Sequence, residues 1–225
     1  MSLVAVQPAE VSRARARPSL HTRWVRAAFQ DLLLAPLLRL WCAPFRVSST
    51  ACPTRPVVYV ANHASHLDAP AILAALPRSA RHRLAIAAAE DYFYRRPPLG
   101  WLCTLALGTF PFPRQGKLGL HRAEDQLACG HSVLLFPEGT RSPDGRQRPF
   151  RHGVGHLLLN TGVPVVPVAI VGTHAAWPKA RPWPRRGPVR VAFGQLWTPD
   201  RRLSPAAIAD ELAARCCAAA RASAT

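Results

Sequence analysis

Pro56-Val57-Val58-Tyr59-Val60-Ala61-Asn62-His63-Ala64-Ser65-His66-Leu67-Asp68 is the stretch on which the reading of the whole chain turns. Its opening residues, Pro56 to Val60, form an unbroken apolar run, the pattern of a strand buried on both faces. Residues 69–76 follow as an apolar segment of helical length. A strand that ends in a polar turn before a helix is where open α/β sheets place their chemistry. Within the turn, His63 can accept a proton near neutral pH, and a nearby carboxylate, Asp68, can fix its tautomer.

The spacing of that pair constrains the local structure. Five residues on a continuous helix separate two side chains by about 140°. His63 and Asp68 therefore meet only if His63 lies in the turn and the helix begins after it. Ser65 permits this as an N-cap, with Asp68 three residues on in the position that closes a capping box. The octapeptide Ala61–Asp68 thus supports two readings: a catalytic pair, or a helix cap beside an ordinary turn histidine.

Outward from this stretch, a second buried run, Val133-Leu134-Leu135-Phe136, leads into another polar, glycine-containing turn, Pro137-Glu138-Gly139-Thr140-Arg141-Ser142. Two such turns in a parallel sheet can face one cleft. Arg141 offers a fork suited to phosphate, and Gly139 lets the backbone approach closely. Glu138 can bond a substrate hydroxyl or a neighbouring backbone group. Further runs predict strands near 57–61, 84–89, 109–112, 132–136, 165–171 and 188–193. Helices are predicted near 67–76, 98–107, 118–129, 152–160 and 204–220. The alternation predicts one α/β domain over 47–225, with a mostly parallel sheet flanked by helices.

The residues before this domain differ in character. Residues 1–21 carry Arg13, Arg15 and Arg17 without an apolar signal-like core, and read as a disordered basic arm. In residues 22–46, Trp24, Val25, Ala28, Phe29, Leu32 and Leu33 recur at helical spacing opposite Arg23, Arg26, Gln30 and Asp31. The uncharged run is too short to cross a bilayer. This segment is expected to be an amphipathic helical anchor at a membrane interface, the alternative being a helix packed on the domain's own core.

A formal net charge of +17 on 225 residues calls for an anionic partner: a phospholipid surface, a phosphorylated small molecule or nucleic acid. Cys42, Cys52, Cys103, Cys129, Cys216 and Cys217 show no Cys-x-x-Cys spacing, and read as apolar filler in a reduced, cytosolic setting. The run Trp177-Pro178-Lys179-Ala180-Arg181-Pro182-Trp183-Pro184-Arg185-Arg186 suits a loop at a lipid headgroup layer, stacking on single-stranded nucleic acid, or a plain solvated basic loop.

Asn62, His63 and Asp68 together resemble the Asn-His-x-x-x-x-Asp motif of the glycerolipid acyltransferases, and Phe136–Ser142 is similar throughout to that family's Phe-Pro-Glu-Gly-Thr-Arg-Ser motif. Thr109-Phe110-Pro111-Phe112-Pro113-Arg114 resembles a looser second block, with Pro113 where an acidic residue is common. Gly162–Val168 resembles an apolar fourth block. The resemblance covers roughly residues 56–172, and within the family it is closest to the lysophosphatidic acid acyltransferases.

This resemblance implies transfer of a fatty acyl group from a thioester to a lysophospholipid hydroxyl, with lysophosphatidic acid as the leading acceptor. A lysolipid with a larger headgroup, or a lyso-aminolipid, is the alternative. It implies His63 as general base oriented by Asp68, and Asn62, Arg114, Glu138, Gly139, Thr140 and Arg141 as substrate-binding residues. Acyl-CoA or acyl carrier protein would be the co-substrate, with no cofactor and no metal. The expected setting is the cytoplasmic face of a membrane, on anionic phospholipid, and nucleic acid is disfavoured as partner. Other classes fare less well. A serine hydrolase would want Gly-x-Ser-x-Gly, which the chain lacks. His63, His66 and Asp68 could start a metal site, but no further histidine–carboxylate cluster completes it. A non-catalytic basic membrane-binding protein explains the charge but leaves the two motif turns without a role.

Overall fold

The computed structural model describes residues 20–48, 53–95 and 97–223. The expected basic arm falls almost wholly outside them, as does Cys52. The described chain forms a seven-stranded sheet: β1 (Phe45–Ser48), β2 (Val58–Ala61), β3 (Leu84–Ala89), β4 (Thr109–Phe112), β5 (Ser132–Leu135), β6 (Val165–Val171) and β7 (Val189–Phe193). Their order across the sheet is β1-β7-β6-β2-β5-β3-β4. All neighbours are parallel except β6 and β7, which run antiparallel. The expected mostly parallel sheet is therefore present, and the six predicted strands lie within a residue of their expected positions.

The strand sequences account for the layering. Successive side chains of a strand point to opposite faces. Val57, Tyr59 and Ala61 pack on one side with Ile72, Leu73 and Leu134. Val58 and Val60 pack on the other with Val133, Leu157, Ile208 and Leu212. The first face is covered by α3 (Asp68–Ala75), and the second by α7 (Gly153–Thr161) and α9 (Pro205–Ala222). Between them in sequence lie α4 (Arg78–Arg81), α5 (Pro97–Leu107), α6 (Leu118–Ala128) and α8 (Thr173–Ala176).

The N-terminal segment departs from its expected limits. It forms α1 (Leu20–Phe29), a π-helical turn (Gln30–Leu34) and α2 (Ala35–Trp41). Pro36 does not end it: the π-helical turn just before Pro36 loosens the hydrogen-bond ladder there, and Leu34 and Ala35 stay helical on either side of the junction. Of the segment expected to be helical over 22–46, Phe45 and Arg46 instead open an edge strand, Phe45–Ser48, that pairs with Val189–Ala192. The carbonyl of Pro44 accepts the Val189 amide, which starts that pairing.

This segment is fastened to the domain by polar bonds. The Gln30 side-chain amide donates to the Ala106 carbonyl at 2.9 Å, and Arg39 donates to the Ala74 carbonyl at 2.6 Å. The nearly buried Arg81 reaches Asp31 at 2.7 Å and the Leu76 carbonyl at 2.9 Å. Trp24 and Leu32 remain about three-quarters exposed, at 74% and 76%. No helix among the described residues is long and apolar enough to cross a membrane.

Candidate active site

Parallel strands deliver their carboxyl ends to one edge of a sheet, and here five of them lie side by side there: β6, β2, β5, β3 and β4. The turn after β2 holds His63 and His66, and the turn after β5 runs from Phe136 to Arg141. Asp91 and Tyr92 follow β3, and Arg114 follows β4. These segments surround a cleft of about 530 Å³. Because β2 and β5 are adjacent, the two motif turns are neighbours in space although 75 residues separate His63 from Glu138.

The histidine is held from several sides. Its Nδ1 lies 2.8 Å from Asp68 Oδ2. That same oxygen accepts the amides of Ala64 at 2.7 Å and Ser65 at 2.8 Å. The two readings of the octapeptide therefore describe one arrangement: the carboxylate that reaches back to cap the turn is also the one that orients the imidazole. The expected N-cap differs in detail. The helix begins at Asp68, and the Ser65 hydroxyl accepts the Leu67 amide while donating to the Trp177 carbonyl. Half of the capping box forms, because the Asp68 carboxylate accepts the Ser65 amide, while the Asp68 amide donates to the Ser65 carbonyl at 3.4 Å rather than to its hydroxyl. With Nδ1 facing an acceptor, the ring hydrogen belongs there, leaving Nε2 for the cleft that His63 lines. The ring stacks on Phe136, centroids 4.2 Å apart.

Two residues expected to touch substrate serve the scaffold instead. The Asn62 side chain accepts the Ile170 amide at 2.8 Å and donates to the Ile170 carbonyl at 2.9 Å. Both ends of its amide are thus spent joining the end of β2 to β6, and it is absent from the cleft wall. Glu138 is buried, also off the wall, and its Oε1 accepts the His63 amide at 2.9 Å. Burial pushes its carboxyl up to about 7, against the opposing hydrogen bonds from the His63 and Arg148 amides. The Ser142 amide closes the clamp by donating to the His63 carbonyl at 2.8 Å.

Gly139, Thr140, Arg141 and Arg114 do line the cleft, and two further cations join them, Arg151 and Lys179. Arg141 Nη1 is buried without a hydrogen-bond partner. Arg114 pairs with the half-exposed Asp91 at 3.4 Å. Arg151 donates to the Arg114 carbonyl at 3.3 Å and lies across Gly139, where an added Cβ would come within 2.6 Å of its guanidinium. The Arg151 side chain could swing aside, but Gly139 has φ +73°, and that backbone conformation is what calls for glycine there. The opposite part of the cleft is apolar, walled by Ile86, Ala88, Leu107, Leu120, Leu135 and Val154. Cys103, expected as core filler, reaches this cleft, whereas Cys42 and Cys216 are buried in the core.

His66 stands at the mouth among Tyr92, Phe93 and Trp177, with ring centroids 5.9, 6.3 and 5.4 Å away. Burial, reinforced by Arg141 and His63, pulls its imidazole down to about 4, so it is neutral where His63 would act. Sequence reasoning passed over Arg151 and Tyr92, and read Lys179 as part of a basic loop rather than of the cleft wall. Arg151 carries no motif signal beyond its place between a buried strand's turn and the next helix.

The cleft brings cationic side chains, an apolar wall and an imidazole nitrogen able to accept a proton to one edge of the sheet. These define a class of α/β domain with a histidine-bearing cleft. Comparison with known proteins gives that class a family. Residues 45–171 match the Acyltransferase family model, and the chain belongs to this family. It is 31% identical over 171 residues to 1-acyl-sn-glycerol-3-phosphate acyltransferase of Limnanthes alba, covering 72% of this chain and 59% of that protein. It is 35% identical over 145 residues to the lyso-ornithine lipid O-acyltransferase of Pseudomonas aeruginosa, covering 60% of this chain and 53% of that one. The chain thus spans under two-thirds of the length of the curated relatives it matches here. Its fold is that of the Thermotoga maritima 1-acyl-sn-glycerophosphate acyltransferase PlsC, with a TM-score of 0.74 at 24% identity over 96% of this chain and 87% of that one.

Proposed function

We propose that this protein transfers a fatty acyl group from a thioester to the free hydroxyl of a lysophospholipid, with lysophosphatidic acid as the preferred acceptor. The observation that carries the reading is the His63–Asp68 pair, with its free ring nitrogen between a cation cluster and an apolar cleft. His63 Nε2 takes the proton of the acceptor hydroxyl as that oxygen attacks the thioester carbonyl carbon. The carbon–sulfur bond then breaks, and the departing thiolate receives the proton from His63. Asp68 holds the ring and stabilises its charged form.

Arg141, Arg151 and Lys179 bind the phosphate. Among the described residues no carboxylate forms an ion pair with any of the three, so their charge is available to a ligand. Arg114 contributes once Asp91 is displaced, and Thr140 can add a hydroxyl contact. The apolar wall receives an acyl chain. Coenzyme A or acyl carrier protein supplies the thioester, and no cofactor or metal takes part. His63 Nδ1 is already committed to Asp68, and His66 is enclosed by aromatic rings. The N-terminal helices, with Trp24 and Leu32 exposed, hold the enzyme peripherally on the cytoplasmic face of an anionic membrane.

A second reading concerns the acceptor. Asp91 places a carboxylate in the cleft wall, a fitting partner for an ammonium group, and a relative acts on a lyso-ornithine lipid. The test is product analysis by mass spectrometry. Wild type and His63→Ala receive acyl-CoA, or acyl carrier protein thioester, with vesicles carrying lysophosphatidic acid, larger lysophospholipids or a lyso-aminolipid. Phosphatidic acid from the wild type alone supports the main reading, and product from the lyso-aminolipid alone supports the second. Thioester hydrolysis without acyl transfer would replace both with a hydrolase.

A further inference from the structure

The loop between α8 and β7 belongs to no motif turn, yet it touches both the N-terminal helices and the catalytic turn. From Trp177 to Pro188 it carries Lys179, Arg181, Arg185 and Arg186 and no acidic residue. One end is tied into the motif. The Ser65 hydroxyl donates to the Trp177 carbonyl at 2.8 Å, and the Trp177 ring lies against His66. The Trp177 indole N–H in turn donates to the Arg181 carbonyl at 2.9 Å, and the Arg185 amide donates to the Ala176 carbonyl at 2.8 Å. These bonds fold the loop back on its own base. At the other end, the Arg186 guanidinium lies 5.6 Å from the ring centroid of Trp41, the last residue of α2. Between the two ends, Trp183 is 78% exposed.

We infer that this loop is an anionic-membrane contact that couples docking to the catalytic turn. Four unpaired-sign cations around an exposed tryptophan match a lipid headgroup layer, where the charges meet phosphates and the indole settles at the interface. The Arg186–Trp41 contact joins this patch to α2, whose Leu37 and Leu40 are exposed, so helix and loop present one combined basic and apolar surface. Docking the loop would fix Trp177, and Trp177 bears on the catalytic turn through Ser65 and His66. Lys179 stands in the cleft wall on the same loop and would be fixed with it. The activity half of this inference rests on the proposed acyl transfer; the docking half does not.

The test separates them. Wild type, a loop variant (Arg181→Ser, Trp183→Ser, Arg185→Ser and Arg186→Ser together) and Ser65→Ala are co-sedimented with phosphatidylglycerol-containing and with purely zwitterionic vesicles. Thermal denaturation checks that each is folded. A basic residue at an anionic surface contributes close to a fivefold factor, so losing three arginines predicts about 100-fold weaker binding to the anionic vesicles. Ser65→Ala should bind as wild type does. Unchanged binding by a folded loop variant would overturn the docking surface. Oligonucleotide binding that is lost in the loop variant while its vesicle binding is kept would also overturn it, assigning the loop to nucleic acid. Turnover of a short-chain acyl-CoA with a soluble short-chain lysophosphatidic acid is then measured with and without substrate-free anionic vesicles. Stimulation of wild type that is lost in Ser65→Ala supports the coupling, and equal stimulation of both overturns it. Should no protein turn over any acceptor, the acyl-transfer reading fails while the binding result still decides the docking surface.

Discussion

At the scale of single residues, His63 and Glu138 show how one turn serves another. His63→Ala removes the proposed base, and a loss of this kind lowers the rate by about 10² to 10⁴. The expected result in the product assay is a fall of that size in a variant that still shows a cooperative thermal transition, lowered because the buried Asp68 loses its side-chain partner; a near-wild-type rate would remove His63 from the chemistry. Glu138 and His66 oppose each other in their effect on stability. The folded chain keeps the Glu138 proton up to about 7, whereas the unfolded chain releases it near 4.5, so this group's contribution is lost as pH rises through that window. His66 titrates near 6.5 when unfolded and about 4 when folded, so its contribution is lost as pH falls. Between about 4.5 and 6.5 the two slopes oppose. Glu138→Gln should therefore make stability rise more steeply with pH, and His66→Phe should make it fall. Urea midpoints measured across this range check the pair, and parallel profiles in the two variants would refute the assignment. The residue scale is also where sequence reading reached its limit. Asn62 and Glu138 carry motif identities, but identity does not reveal whether a side chain faces the cleft or the backbone behind it. Arg151 faces the cleft with no motif to announce it.

At the scale of elements, legibility tracked burial. Runs such as Val133–Leu135 announce a strand because both of their faces are apolar. Phe45–Ser48 did not, because an edge strand with mostly exposed side chains has no local signature. Its partner, Val189–Ala192, lies more than 140 residues away. The sharpest test at this scale is where α7 meets the start of α9. A Cβ on Gly155 would lie 2.6 Å from Pro205 Cα, with the Pro205 carbonyl closer still. Alanine within a helix ordinarily gains about 1 kcal/mol over glycine, but here the neighbour is backbone and cannot swing aside. Gly155→Ala should therefore destabilise by about 1–3 kcal/mol. Gly153→Ala, two residues earlier, meets only Leu120 Cδ2 at 3.6 Å and should be tolerated. Equal urea midpoints for the two variants would mean that the helices separate without cost.

At the scale of the whole molecule, a charge of +17 and the exposed apolar side chains of the N-terminal helices should act on a membrane through different physics. The electrostatic part is screened: the Debye length falls from about 10 Å at about 0.1 M salt to about 3 Å at about 1 M. The apolar part, from residues such as Trp24, Leu32 and Leu40, does not weaken with salt. Binding to anionic vesicles should thus decline with added salt and then level off, while weak binding to zwitterionic vesicles stays nearly constant. Asp31 bears on the same question, because it holds the nearly buried Arg81 and so fixes the helices to the domain. Asp31→Ala leaves that cation without its carboxylate, a change that costs about 3–5 kcal/mol when the charge is fully buried. Co-sedimentation over a salt series distinguishes the cases. A plateau in wild type means that the apolar face inserts. Complete release at high salt would mean that the helices rest on the surface by charge alone, and that Trp24 and Leu32 are exposed for another partner.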